Sequence, residues 1–130
     1  MRNSRIFIKV AIVYLRTSKR ERKNLYSLDE QEKAISDYAS ENGYSIVKVF
    51  REENASAKTF DRPAFREMVR YIKANKWRVK FILVTDLWRL STDRDELERF
   101  RRFSRLNGIK VVSIIQLMLK YTGKRSKYLL

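Results

Sequence analysis

Residues 6–15, IFIKVAIVYL, form an apolar, β-branched run broken only by Lys9. A strand with one wet face alternates apolar and polar side chains. A run without alternation suits a strand covered on both faces, the setting of a parallel sheet. Parallel neighbours need crossover connections, usually helices, and the remaining sequence supplies them. Residues 17–26, TSKRERKNLY, read as a polar, basic loop. Ser27 with Glu30 three residues on makes a capping box, so a helix starts there. It runs to about Asn42, where Gly43 ends it. Residues 44–51, YSIVKVFR, are a second strand and 52–60 a loop. Pro63 suits the first turn of a second helix, with Phe65, Met68, Val69 and Ile72 along one stripe. A third strand is expected over 80–87. A helix from about Thr92 to Leu106 should bury Leu97, Phe100 and Phe103 and expose Arg99, Arg102 and Arg105. A fourth strand is expected over 109–115. The order β-α-β-α-β-α-β predicts an α/β fold of three layers, a mostly parallel sheet with helices on both faces.

At 130 residues, with 44% of them hydrophobic, the chain can bury a core as one domain. Its formal net charge of +15 says nothing about fold but much about partners. A polyanion fits, and nucleic acid is the commonest; an anionic membrane surface is the rival. No segment approaches the roughly 20 apolar residues of a membrane helix. The opening MRNSRIFIKVAIVYLR imitates a signal peptide, but Lys9 interrupts the apolar run, and Arg16, Thr17 and Ser18 stand where small cleavage-site residues belong. There is no Cys and no His. Disulfides, thiolate zinc sites, cysteine nucleophiles and the usual general base are thereby excluded. The missing Cys is compatible with a reducing cytoplasm. Catalysis would run on hydroxyls, carboxylates and cations.

In an open parallel sheet, ligands bind beyond the carboxyl ends of the strands. Tyr14, Arg16 and Ser18 follow the first strand; Asp86, Trp88 and Arg89 follow the third; Arg62 precedes the second helix. Two strand ends and a helix start thus each contribute an arginine. Guanidinium forks match phosphate oxygens, and a hydroxyl among them suits attack on phosphorus. The plain alternative is solvated surface charge, which most of the 30 Lys and Arg must be. Gln31 shares a helix face with Leu28, Ile35 and Tyr38. It is either a satisfied core amide or part of a site.

Five segments, in order, carry a family likeness. YLRTS at 14–18 resembles the serine recombinase motif of Tyr, any residue, Arg, Val or Thr, then Ser; SLDEQ at 27–31 resembles its Ser-Leu-any-any-Gln signature. DRPAF at 61–65 resembles the helix-opening Arg-Pro, LWRLS at 87–91 the Leu-Asp-Arg-Leu motif, and NGIKVVSI at 107–114 the closing strand. The chain thus resembles the N-terminal catalytic domain of the resolvase/invertase family of serine site-specific recombinases over about residues 8–116. The resemblance implies a sheet ordered 2-1-3-4, the second strand outside the first and the third on its other side. It implies Ser18 as nucleophile, forming a phosphoserine link to a DNA end. Arg16, Arg62 and Arg89 would bind the scissile phosphate, with Tyr14, Gln31 and Asp86 in support. No cofactor, metal or small-molecule substrate is implied. The partner is DNA, with a homodimer, a homotetramer or a full-length recombinase as the protein partner. A cytoplasmic or nucleoid setting follows, and the chemistry fits resolution, inversion and integration alike, the reactions of mobile elements.

Three departures stand out. Trp88 occupies the place of the usual acid, with Asp86 two residues earlier as a stand-in on the same strand face. Thr92 replaces a second arginine, and Arg94 lies elsewhere on the helix. Residues 117–130, LMLKYTGKRSKYLL, carry basic residues and no acid, as an edge strand or short basic tail. They are too short for a long dimerisation helix or a helix-turn-helix module. The expected organisation is therefore a catalytic domain at 1–116 and a tail at 117–130. Two functions stay open: strand cleavage and rejoining, or a catalytically impaired, truncated homologue that binds DNA or a partner recombinase without chemistry. A nucleotide-binding receiver-like domain shares the layout, but the chain has only three Gly and no acidic cluster after the first strand.

Overall fold

The computed structural model describes residues 8–17, 27–53 and 62–115. They form β1 (Lys9–Arg16), α1 (Leu28–Asn42), β2 (Tyr44–Glu52), α2 (Pro63–Ala74), β3 (Phe81–Val84), a 3₁₀ turn (Leu87–Arg89), α3 (Arg94–Leu106) and β4 (Lys110–Ser113). The sheet is parallel, ordered β2-β1-β3-β4, as the resemblance implies.

The unbroken apolar character of β1 has its explanation in the two cores. Ala11, Val13 and Leu15 pack with Leu28, Ile35 and Ala39 of α1. Ile12 and Tyr14 face the other way, toward Met68 and Ile72 of α2 and Phe100 of α3. Crossover handedness accounts for this division. From β1 the chain moves outward to β2, then reverses to reach β3 on the far side of β1 and continues to β4. With right-handed crossovers, the reversal places α1 on one face and α2 and α3 on the other. The strand order turns back beside β1, and that is where an open sheet leaves a crevice.

β2 is an edge strand with one irregularity. Ala11 pairs with Ile46 but Ile12 pairs with Lys48, so Val47 is an extra residue, bulged and exposed. Bulges and charged side chains blunt an open edge against further pairing, and Lys48 and Arg51 lie just beyond it.

Three boundaries differ from the sequence expectation. The third strand ends at Val84 instead of 87, because the Asp86 side chain accepts the Trp88 N–H at 3.1 Å and starts the 3₁₀ turn. The third helix begins at Arg94 instead of Thr92: Asp93 caps it, and the Ser91 hydroxyl accepts the Asp93 N–H at 3.0 Å. The fourth strand ends at Ser113, where the chain turns helical and Ile115 N–H reaches the Thr85 carbonyl at 3.0 Å. On α3 only Phe100 is fully buried of the three expected; Leu97 and Phe103 are half-buried against the same core, and Ser104 is buried beside them. The expected edge strand or tail over 117–130 lies outside the described residues. Among the described residues no helix is long and apolar enough to cross a membrane.

At the far end of the sheet, Trp77 and Gly108 both have positive φ, 69° and 72°. A side chain at position 108 would place Cβ 2.5 Å from Trp77 Cε3, so only glycine lets the indole lie there.

The capping box on α1 is complete. Glu30 N–H donates to Ser27 Oγ at 3.1 Å, and Ser27 N–H donates to Glu30 Oε1 at 3.0 Å. Ser27→Ala should lower unfolding free energy by about 0.5–2 kcal/mol, and Ser27→Asn should restore most of it, in urea denaturation.

Candidate active site

The site begins with an uncapped helix. Arg62 stands at the N-cap of α2, where its side chain cannot accept the orphan N–H groups of the first turn. The acceptor comes from the end of β2 instead. Glu52 is buried, and its carboxylate takes Ala64 N–H at 3.1 Å, Phe65 N–H at 2.9 Å and the Tyr14 hydroxyl at 2.9 Å. A carboxylate at a helix N-terminus also meets the positive end of the helix dipole. Tyr14 in turn accepts Arg62 Nη2 at 3.0 Å and Nε at 3.3 Å. The Arg62 guanidinium lies 4.0 Å from the Phe65 ring centroid. One charged group therefore fixes a helix start, a phenol and a guanidinium. Burial pushes the Tyr14 hydroxyl well above its ordinary value, so it stays neutral and serves as a relay between anion and cation.

The second half of the site is a clamp between the end of β1 and the 3₁₀ turn. Arg16 Nε donates to the Arg89 carbonyl at 3.0 Å and Arg16 Nη2 to the Trp88 carbonyl at 2.6 Å. Arg89 returns the contact, donating from Nη1 to the Arg16 carbonyl at 2.6 Å, while its Nε donates to Asp86 Oδ2 at 3.1 Å. Arg62 Nη2 reaches the same Arg89 carbonyl at 3.3 Å. The guanidiniums of Arg16 and Arg62 thus bracket one oxygen, and all three arginines are 7% exposed or less. Buried cations demand compensation. Asp86 pairs directly with Arg89, whereas Glu52 meets Arg62 through the Tyr14 hydroxyl.

The residues singled out in the sequence fall as follows. Tyr14, Arg16, Arg62, Asp86 and Arg89 come together in one hydrogen-bonded network at the carboxyl ends of β1 and β3. Gln31 joins them from α1 as a satisfied buried amide. It is 1% exposed, and its amide accepts Arg16 N–H at 3.3 Å and donates to the Arg16 carbonyl at 3.0 Å. Ser18 lies outside the described residues; the residue before it, Thr17, donates its N–H to the Glu52 carbonyl at 3.0 Å. Ser91 is engaged locally, with its hydroxyl 3.0 Å from Glu96 Oε2. Thr92 and Arg94 are exposed. Beside Arg62 opens a cavity of about 380 Å³, lined by Phe65, Leu90 and Phe100 and by the polar Ser91, Glu96 and Arg99.

Glu52 is the residue that sequence reasoning missed, assigned to a loop. Its signal was indirect: a helix opening Arg-Pro lacks an acceptor of its own at the cap, so one has to arrive from elsewhere.

The resolvase N-terminal domain model matches residues 11–130. The chain belongs to the resolvase family. Among solved structures it is similar to the N-terminal catalytic domain of TP901-1 integrase, at 23% identity, 83% of this chain and 78% of that one, with a TM-score of 0.73. It is similar to a resolvase family site-specific recombinase from Streptococcus pneumoniae, at 21% identity, 88% of this chain and 83% of that one, TM-score 0.70. A serine recombinase from Sulfolobus solfataricus matches at 21% identity over 94% of this chain and 91% of that one, TM-score 0.63. At these identities the likeness concerns the resolvase fold. No match was found among curated proteins.

Glu52→Gln replaces an acceptor of three hydrogen bonds with a group that must point donors at donors. It should lower stability by about 1–3 kcal/mol in urea denaturation, while Glu53→Gln, at an exposed position, should stay within about 0.5 kcal/mol.

Proposed function

We propose that this resolvase-family domain cleaves and rejoins DNA through Ser18. The observation that carries the reading is the convergence of Arg16, Arg62 and Arg89 on the crevice beside β1. The Ser18 oxygen attacks the scissile phosphorus and loses its proton. The bond from phosphorus to one deoxyribose oxygen breaks, and that oxygen leaves protonated. The strand end stays on the enzyme as a phosphoserine ester until a deoxyribose hydroxyl reverses the step. Charge develops on the non-bridging phosphate oxygens, where preorganised guanidiniums are worth most. Each fork has five N–H donors, so one that holds carbonyls can also hold phosphate. Asp86 and the Tyr14–Glu52 pair keep two of the forks oriented; Gln31 fixes the strand end that leads into Ser18. Hydroxyls, carboxylates and cations suffice, and the reading includes no cofactor.

The domain organisation belongs to the same proposal: a catalytic domain over 1–116 and a short basic tail over 117–130. Binding by such a domain is weak, steeply salt-dependent and indifferent to sequence, because backbone contacts by α3 arginines and tail lysines position DNA without reading it. Its protein partners in this reading are further copies of itself or a full-length recombinase, in the cytoplasm or nucleoid.

One observation favours the second reading, a homologue that binds without chemistry. The forks of Arg16 and Arg89 hold main-chain carbonyls, as pins do, and position 92 offers no cation. A lost phosphate-binding donor lowers rate by about a hundred- to a thousandfold.

The test is trapping a covalent protein–DNA adduct on a nicked suicide substrate. The wild type should form it; Ser18→Ala should abolish it and leave non-specific binding intact, because the hydroxyl makes a bond and contributes almost no affinity. Thr92→Arg should then increase adduct yield. No adduct from either the wild type or Thr92→Arg would leave only the binding role.

A further inference from the structure

Trp88 combines two properties that seldom occur together. The residue is 55% exposed, yet its backbone is held at both ends, the N–H by Asp86 at 3.1 Å and the carbonyl by Arg16 at 2.6 Å. The next residue, Arg89, is buried and turns its guanidinium inward to the Arg16 carbonyl. One short turn thus directs a cation into the crevice and an aromatic ring to solvent. The position is free of the charge duty that the family motif gives it, because Asp86 already holds Arg89 at 3.1 Å.

We infer that Trp88 is a stacking platform for an unpaired base of the DNA strand whose phosphate lies on Arg16, Arg62 and Arg89; the inference rests on the recombination reading above. The argument is one of charge, shape and entropy. Three buried guanidiniums draw a polyanionic strand to this edge of the sheet. A nucleotide attached through its phosphate carries its base only a sugar away, and Trp88 is the residue whose own carbonyl touches Arg16. Every base has a π face, so stacking adds affinity without demanding a sequence. A ring mounted on a pinned backbone loses little freedom on contact. The other exposed indole has no such setting. Trp77 lies against Gly108 at the opposite end of the sheet, with Lys80 Nζ 5.8 Å from its ring, and so serves as an internal control.

The test measures fluorescence anisotropy of a labelled duplex that is either fully paired or carries a short central unpaired stretch. The full chain is compared with Trp88→Phe and Trp88→Leu, which leave the main-chain contacts in place. Trp88→Leu should weaken binding to the unpaired probe by roughly 5- to 150-fold while hardly changing binding to the paired one, and Trp88→Phe should fall between. In Trp77→Phe the remaining indole should be quenched by the unpaired probe; if that variant fails to fold, anisotropy carries the test alone. Equal effects on both probes, or none, overturn the platform. So does an indole signal that follows protein concentration without DNA, which would assign Trp88 to a protein contact. If Trp88→Leu changes nothing while the Ser18-dependent adduct persists, the platform falls and the recombination reading stands. If the wild type binds neither probe and forms no adduct, both fall.

Discussion

The carbonyl oxygen of Arg89 receives N–H groups from both Arg16 and Arg62, while the Arg89 side chain reaches back to the carbonyl of Arg16. Three guanidiniums would repel one another across a crevice if left to themselves. Here main-chain dipoles stand between them, and the same contacts tie the end of β1, the start of α2 and the 3₁₀ turn into one body. Removing any partner leaves a buried cation short of acceptors, the expensive case for an internal charge. The architecture around the site follows from this need. The turn after β3 has to present two carbonyls toward β1, and Asp86 folds it so that it does.

How much of this was legible in the sequence depends on the range of the interaction. The apolar run of β1 declared a strand covered on both sides, and the Ser27–Glu30 box and Gly43 marked both ends of α1, because those signals are local. The arginines could be placed at strand ends from position alone, since the parallel fold sends every strand end to one edge. What stayed hidden was side-chain to main-chain pairing over long separations. Nothing local to Glu52 says that it will cap a helix beginning at Pro63. Nothing local to Leu87–Arg89 says that an apolar continuation of β3 will curl into a turn. Its cause is a carboxylate one residue before the turn and a guanidinium from another strand.

Trp88 and Asp86 illustrate how a motif shifts without losing its physics. The acid sits two residues earlier than the resemblance expects, yet it still meets the arginine, because the 3₁₀ turn shortens the path from 86 to 89 to a single hydrogen-bonded loop. Here hydrogen-bonding reach, and not adjacency in sequence, decides which acid meets the arginine.

The bulge at Val47 decides which way the end of β2 looks. Before it, Tyr44 and Ile46 lie on the α1 side; after it, Val49 and Arg51 take that side, and Arg51 reaches Asp29 and Glu32 on α1. Phe50 and Glu52 are thereby turned toward α2. Side chains alternate along a strand, so one surplus residue inverts the parity of everything downstream. Were the bulge ironed out, with Val47 taking the place opposite Ile12 and every later residue slipping by one, the Glu52 carboxylate would swing into the apolar layer beneath α1, and Arg51 would aim at the positive end of α2 and at Arg62. A single exposed valine, touching nothing in the crevice, sets the sign of the charge that reaches it.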